Sequence, residues 1–200
     1  MNAVQSGLGG RLALFDPQAL SATQRELFDH ITGTALPWAQ GNGFAATTAD
    51  RRLIGPFNPS LLSPQIATAF LQLQSVEEHH TCLDERVRQV VILTVGAVWQ
   101  ARYELYAHSA VARHTGLSRT AITELISGEI PDDLNENERT AQQFTRMLST
   151  THHVDDALYD HIEQIFGAAG VFEITMLTGI YHTVCGILNA FNIPAPGHDA

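Results

Sequence analysis

The stretch Leu83–Leu117, LDERVRQVVILTVGAVWQARYELYAHSAVARHTGL, decides the fold. Val90 to Val95 within it is β-branched and, taken alone, passes for a strand. Its length, the acidic start at Asp84-Glu85 and the absence of Gly or Pro before Gly96 predict instead a helix that is apolar almost all round. Such a helix is buried, so the rest of the chain has to wrap it. A break is expected near Gly96 to Gln100, followed by a second helix from Arg102 to His114 that ends at Gly116.

Working outward, cap signals divide the remainder into further helices. Ser21 with Gln24 forms a capping-box pattern ahead of Leu27, Phe28 and Ile31. Ser63-Pro64 supplies an N-cap and an N1 proline for a helix whose Ile66, Phe70, Leu73 and Val76 are expected to pack as one stripe. Ser118 opens a helix carrying Ile122, Leu125 and Ile126, and Asn135 with Glu138 opens one carrying Ala141, Phe144 and Leu148. Asp155 to Phe166 and Val171 to Phe191 complete the set before Pro194-Ala195-Pro196. Between the first two helices lies Thr34 to Ser60, rich in Gly, Pro, Thr and Ala and without periodicity, read as a lid or as an arm clasping a neighbour. The expected fold is all-α: a helical bundle over residues 61–200, preceded over 1–60 by an amino-terminal helix and arm.

The chain has 200 residues, of which 44% are hydrophobic and 16% charged. A chain of this length buries roughly 70% of its unfolded surface and needs no disulfide or metal staple. All 11 basic residues are Arg, against 21 acidic ones, for a formal charge of -10. The absence of Lys excludes Schiff-base chemistry and the phosphate-loop lysine. Without a basic block the chain cannot neutralise a run of phosphates, which argues against nucleic acid and anionic membranes as partners. Cys82 and Cys185 belong to no CxxC and read as free thiols. Met1 to Arg11 lacks the pattern of a signal peptide, so a cytoplasmic location is expected. Ile174 to Pro196 carries no Asp, Glu, Lys or Arg, yet its Thr, His and Asn residues fit a buried core helix better than a membrane span.

Chemistry concentrates on the second of the central helices. Glu104 and His108 are four apart and project from one face. A carboxyl and an imidazole held together make an acid and base pair for use near neutral pH, since burial raises the Glu pKa and a neighbouring carboxylate raises that of His. Trp99, Tyr103 and Tyr106 surround them. Arg102, or Arg51 and Arg52 from the arm, are candidates to grip a substrate carboxylate bidentately. His182, in the long uncharged helix, must find a polar partner and is a further candidate for the same pocket. Glu77-Glu78-His79-His80 contains one Glu-x-x-His, and His152-His153 adds two imidazoles. A di-iron bundle needs two such motifs, so no metal is expected.

The quoted stretch resembles the signature region of the carboxymuconolactone decarboxylase family, which includes the alkylhydroperoxidase-D-like proteins. The flanks fit as well: Gly55-Pro56-Phe57 and Ser63-Pro64 before it, Leu188-Asn189-Ala190-Phe191 and a final Pro after it, so the resemblance runs from about Leu53 to Pro194. It implies a trimer or hexamer and a small-molecule substrate. The redox branch of the family uses Cys-x-x-Cys-x-x-x-His with an upstream Glu. In this chain those positions hold Ala101, Glu104, His108 and Gln89, and without the thiols peroxide reduction by that route cannot run. The decarboxylase branch resembles Glu-Leu-x-x-His, and here the residues read Glu104-Leu105-Tyr106-Ala107-His108. The resemblance therefore implies a cofactor-free lyase for a small conjugated carboxylic acid or lactone, with Glu104 and His108 catalytic and Trp99, Arg102, Tyr103 and His182 around the substrate. An alkylhydroperoxidase-D-like redox protein and a non-catalytic binding or assembly protein are the alternatives.

Overall fold

A computed structural model describes residues 7–197. Met1 to Ser6, part of the segment read for a signal peptide, lie outside the described residues. Nine α-helices follow in order among those residues: α1 Ala22–Gly33, α2 Ala35–Asn42, α3 Phe57–Ser60, α4 Pro64–His80, α5 Glu85–Trp99, α6 Arg102–His114, α7 Arg119–Ile126, α8 Glu136–Thr151 and α9 Asp156–Ala190. The only β pairing described is an isolated antiparallel bridge between Thr47 and Leu53. The all-α expectation holds.

The caps explain the boundaries. Ser21 and Asn135 both form complete capping boxes, with Gln24 and Glu138 reaching back to the cap backbone. Ser118 and Asp155 accept from Ala121 N and Leu158 N. The central break falls at Gln100, in the left-handed region at φ 51°, ψ 38°. Every residue of α5 from Val87 to Gly96 is buried, as its unbroken apolar run requires. This helix is the axis of the bundle, packed against α6, α7, α8 and α9. Glu138, 1% exposed, closes its own cap and also pairs with Arg86 of α5 at 2.6 Å, tying α8 to the axis. The expected pair of C-terminal helices meets at Gly167, whose φ of 67° and ψ of 170° are not helical. Long and apolar enough to cross a membrane by composition, α9 instead buries Ile174, Leu177 and Ile180 within the bundle.

Two expectations are corrected. The segment Thr34 to Ser60 is not irregular throughout, since it contains α2 and α3. Pro37 sits in the first turn of α2, where it removes no helical hydrogen bond, and Gly43 at φ 79° ends the helix. The segment lies on its own chain: Tyr103 donates to Ala45 O at 2.7 Å, and Ala45 N donates to Tyr106 at 2.9 Å. Phe44, Ala46 and Ile54 share a hydrophobic cluster with Val95, Ala107 and Leu188, so this segment packs into the core of the bundle.

The second correction concerns α4. Ile66, Leu73 and Val76 do not pack; they are 73%, 40% and 50% exposed. The inward stripe is Ala67, Phe70, Leu71, Gln74 and Glu77, of which Phe70 alone belongs to the expected set. This stripe is partly polar because α4 spans a cavity instead of sealing the core.

Candidate active site

Close approach of α5 and α6 builds the site. A Cβ on Gly96 would stand 2.9 Å from Leu105 and 3.5 Å from Glu104, so the missing side chain lets α6 press Glu104 against the axis. Glu104 and His108 are 3% and 6% exposed, and Glu104 Oε1 lies 3.3 Å from His108 Nε2. That contact is off the line of a hydrogen bond, and Oε1 has no other partner among the described residues. The opposite face of the imidazole ring is fixed: His108 Nδ1 is 2.9 Å from Gln89 Oε1. Gln89 Nε2 donates at 3.0 Å to Glu85, which orients the amide and leaves only its oxygen for His108. Nδ1 therefore carries the proton, and Nε2 presents its lone pair to Glu104.

Burial sets the charge states. Loss of solvent pushes the Glu104 carboxyl up to about 8, so at neutral pH it is an acid holding its proton. Burial, reinforced by the Arg88 guanidinium, pushes His108 down to about 3, so the ring is a neutral base. The expectation that a neighbouring carboxylate raises the imidazole is corrected, because the neighbour is itself uncharged.

The pair opens into two adjoining chambers. The inner, about 90 Å³, is bounded by Phe44, Phe70, Tyr103, Glu104, Ala107 and Val184. The outer, about 560 Å³, runs between α1, α2 and α4 to the surface beside His30, Gln72, Ser75, Glu77, Glu78 and Glu85. Trp38, Phe57, Leu71, Gln74, His108 and Tyr181 border both. Trp38 covers the imidazole at 6.1 Å between ring centroids, and Tyr181 meets it edge-on at 5.1 Å. Arg88, 6% exposed, reaches the outer chamber. Its guanidinium is engaged by both carboxylate oxygens of Glu77, the Oε2 contact being 2.9 Å, and lies 3.6 Å from Glu85.

Of the residues selected from sequence, the structure brings together Glu104, His108 and Tyr103. Trp99 and His182 pack on each other, 5.7 Å between centroids, and His182 Nε2 is 2.8 Å from Ser149 Oγ, outside both chambers. Arg102 is exposed and donates to Asn192 at 3.2 Å. Arg52 pairs with Asp50 at 2.8 Å, and neither it nor Arg51 lines a chamber. His79, though it borders the outer chamber, holds Ser75 O at 2.7 Å, and no group of three metal-ligating side chains occurs among the described residues. Sequence reasoning missed Trp38, Gln74, Arg88 and Tyr181. Tyr181 adjoins His182 in a helix uncharged along that stretch, where nothing local marks which of the two faces inward.

The helical architecture is that of the alkylhydroperoxidase-D-like proteins. A peroxidase-related protein with an alkylhydroperoxidase AhpD core from Ralstonia eutropha superposes with a TM-score of 0.72 at 14% identity, over 94% of this chain and 92% of that one. The debrominase Bmp8, in complex with 2,3,4-tribromopyrrole, gives 0.69 at 18% identity over 86% and 89%. A putative antioxidant defence protein AhpD from Agrobacterium tumefaciens gives 0.65 at 19% identity over 70% and 97%. Residues 64–147 match the model of the Carboxymuconolactone decarboxylase family. No curated protein matches it.

Proposed function

We propose that this chain is a cofactor-free acid–base enzyme of the carboxymuconolactone decarboxylase type, moving a proton on a small conjugated lactone or related carbonyl compound. The observation that carries this reading is Glu104, which lines the inner chamber and whose buried Oε1 has no hydrogen-bond partner among the described residues, beside an imidazole whose Nε2 keeps its lone pair. An acid that keeps its proton and a base that lacks one, side by side in an apolar pocket, are the complementary halves of proton transfer at a carbon conjugated to a carbonyl. Nε2 takes the proton from carbon while the Glu104 hydroxyl supports or protonates the oxygen or the distal carbon. Where the substrate carries a carboxylate as leaving group, the same acid protonates the carbon that CO2 leaves.

The thiol-based alternative has less support. Cys82 is exposed and outside both chambers, and Cys185 is fully buried with its thiol pushed up by loss of solvent and by Glu104.

The deciding experiment incubates the protein in D2O with a panel of conjugated lactones, enones and carboxylic acids, following deuterium uptake at carbon by NMR and CO2 release. Turnover or exchange lost in Glu104→Gln and His108→Gln, and kept in the Cys82→Ala, Cys185→Ala double variant, is the expected result. Exchange indifferent to Glu104 and His108, or abolished by removing the thiols from a folded protein, overturns the reading. We further propose that the chain self-associates, supported by the exposed apolar Leu62, Ile66, Leu73, Val76 and Phe172.

A further inference from the structure

Resting on the reading of the Glu104 and His108 chamber as the substrate site, we infer that its ligand is an elongated amphipath: a compact apolar head at Glu104, and a hydrogen-bonding tail of no negative charge in the outer chamber. Three observations carry this. The first is size. A dry cavity of about 150 Å³ holds one benzene, so an inner chamber of about 90 Å³ takes only the leading edge of a ring, the remainder lying between Trp38, Phe57 and Tyr181. The outer chamber, about 560 Å³, is within the range that encloses a drug-sized molecule and is far larger than a ring needs.

The second observation is charge. Arg88 is the one Arg bordering either chamber, and Glu77 and Glu85 already surround its guanidinium. Glu78 joins those two carboxylates at the rim, so the outer chamber carries three acidic side chains against one cation. A substrate carboxylate entering there gains no bidentate partner unless it displaces Glu77, and meets like charge from the rest. Gln72, Gln74 and Ser75 line the same wall and offer neutral donors and acceptors to an amide, an alcohol or an ammonium group. The third is the unpartnered Glu104 Oε1 at the far end, which calls for a polar atom on the apolar head, such as a ring carbonyl. This ligand differs from the small conjugated acid that the sequence resemblance implies.

The test is isothermal titration of the full chain at pH 7, where Glu104 keeps its proton, with three probes on one skeleton: 3-phenylpropanamide, 3-phenylpropylammonium and 3-phenylpropanoate. The amide and the ammonium should bind, and the carboxylate should bind at least about tenfold more weakly than the amide, as surplus like charge within reach of a rim ligand requires. Glu77→Gln, which leaves Arg88 with Glu85 alone, should bring the carboxylate within about threefold of the amide. Glu78→Gln, at an exposed position that cannot disturb folding through Arg88, should narrow the ammonium-to-carboxylate ratio severalfold. A carboxylate that binds wild type as tightly as the amide, no binding by any probe at millimolar concentration, or a ratio unmoved in Glu78→Gln overturns the inference. Binding is read without turnover, so the two readings fail separately. Loss of the deuterium-exchange result with the binding order intact removes only the catalytic reading, and the reverse removes only the charge selectivity.

Discussion

At the scale of single residues, burial makes each member of the pair resist charging, so Glu104 keeps its proton and His108 Nε2 stays without one. General acid and base catalysis contributes about 10²- to 10⁴-fold, so Glu104→Gln and His108→Gln should each lower turnover within that range. The double variant should be little worse than either single one, because partners in one relay fail together. The pH dependence follows from the two shifts. Glu104 is raised from 4.5 to about 8, so its contribution to stability is full below 4.5 and is lost as pH rises toward 8; activity that needs its acid form should fall above about 8. His108 is lowered from 6.5 to about 3, so its contribution is present above 6.5 and is lost as pH falls toward 3. Between 4.5 and 6.5 the two oppose each other. Thermal unfolding across pH should therefore show a Tm decline from 6.5 to 8 in wild type that Glu104→Gln lacks. Gln89 is a positioning residue whose amide cannot carry charge. Gln89→Glu places a carboxylate 2.9 Å from Nδ1 and should raise the imidazole toward the ordinary His range, visible as a shifted His108 titration by NMR and an acid limb of activity moved to higher pH. An unshifted His108 titration would show that the amide does not set the state of the ring.

At the scale of elements, the arm is seated on α6 by a glycine. Gly55 has φ of 64°, and a Cβ there would stand 2.3 Å from the Tyr103 ring, whose hydroxyl holds Ala45. Gly55→Ala therefore meets both the left-handed backbone cost and a clash with a buried ring. A loss of about 1–3 kcal/mol in denaturant unfolding is expected, together with a larger fractional loss of activity as Trp38 and Phe44 lift from the site. Unchanged stability would mean that Tyr103 yields without cost. The same logic explains α4: a helix facing a cavity turns Gln74 and Glu77 inward, and part of its apolar surface is left outside.

At the scale of the whole molecule, the exposed apolar residues of α4 and Phe172 predict association. Sedimentation velocity at micromolar concentration should show a species well above the 21.8 kDa of one chain. Ile66→Glu with Val76→Glu should shift it toward the monomer if α4 is the contact. A wild-type monomer would assign that face to solvent.

The sequence by itself determined the all-α class, the buried axis of α5, the caps at Ser21, Ser118 and Asn135, and the pairing of Glu104 with His108. Each is a short-range consequence of chain geometry: a capping side chain reaches two or three residues, and helical spacing places i and i+4 on one face. Only the tertiary structure decided which stripe of α4 turns inward, that Thr34 to Ser60 partly coils and covers His108, that Tyr181 and not His182 meets the imidazole, and that Arg102 faces Asn192. Those outcomes depend on the rotational phase of packed helices and on charges brought together from distant segments, as when Glu77 of α4 occupies Arg88 of α5. Local pattern fixes which residues share a face; what the face meets is set by burial across the whole bundle, where one cation already engaged by two carboxylates changes the kind of substrate the site can hold.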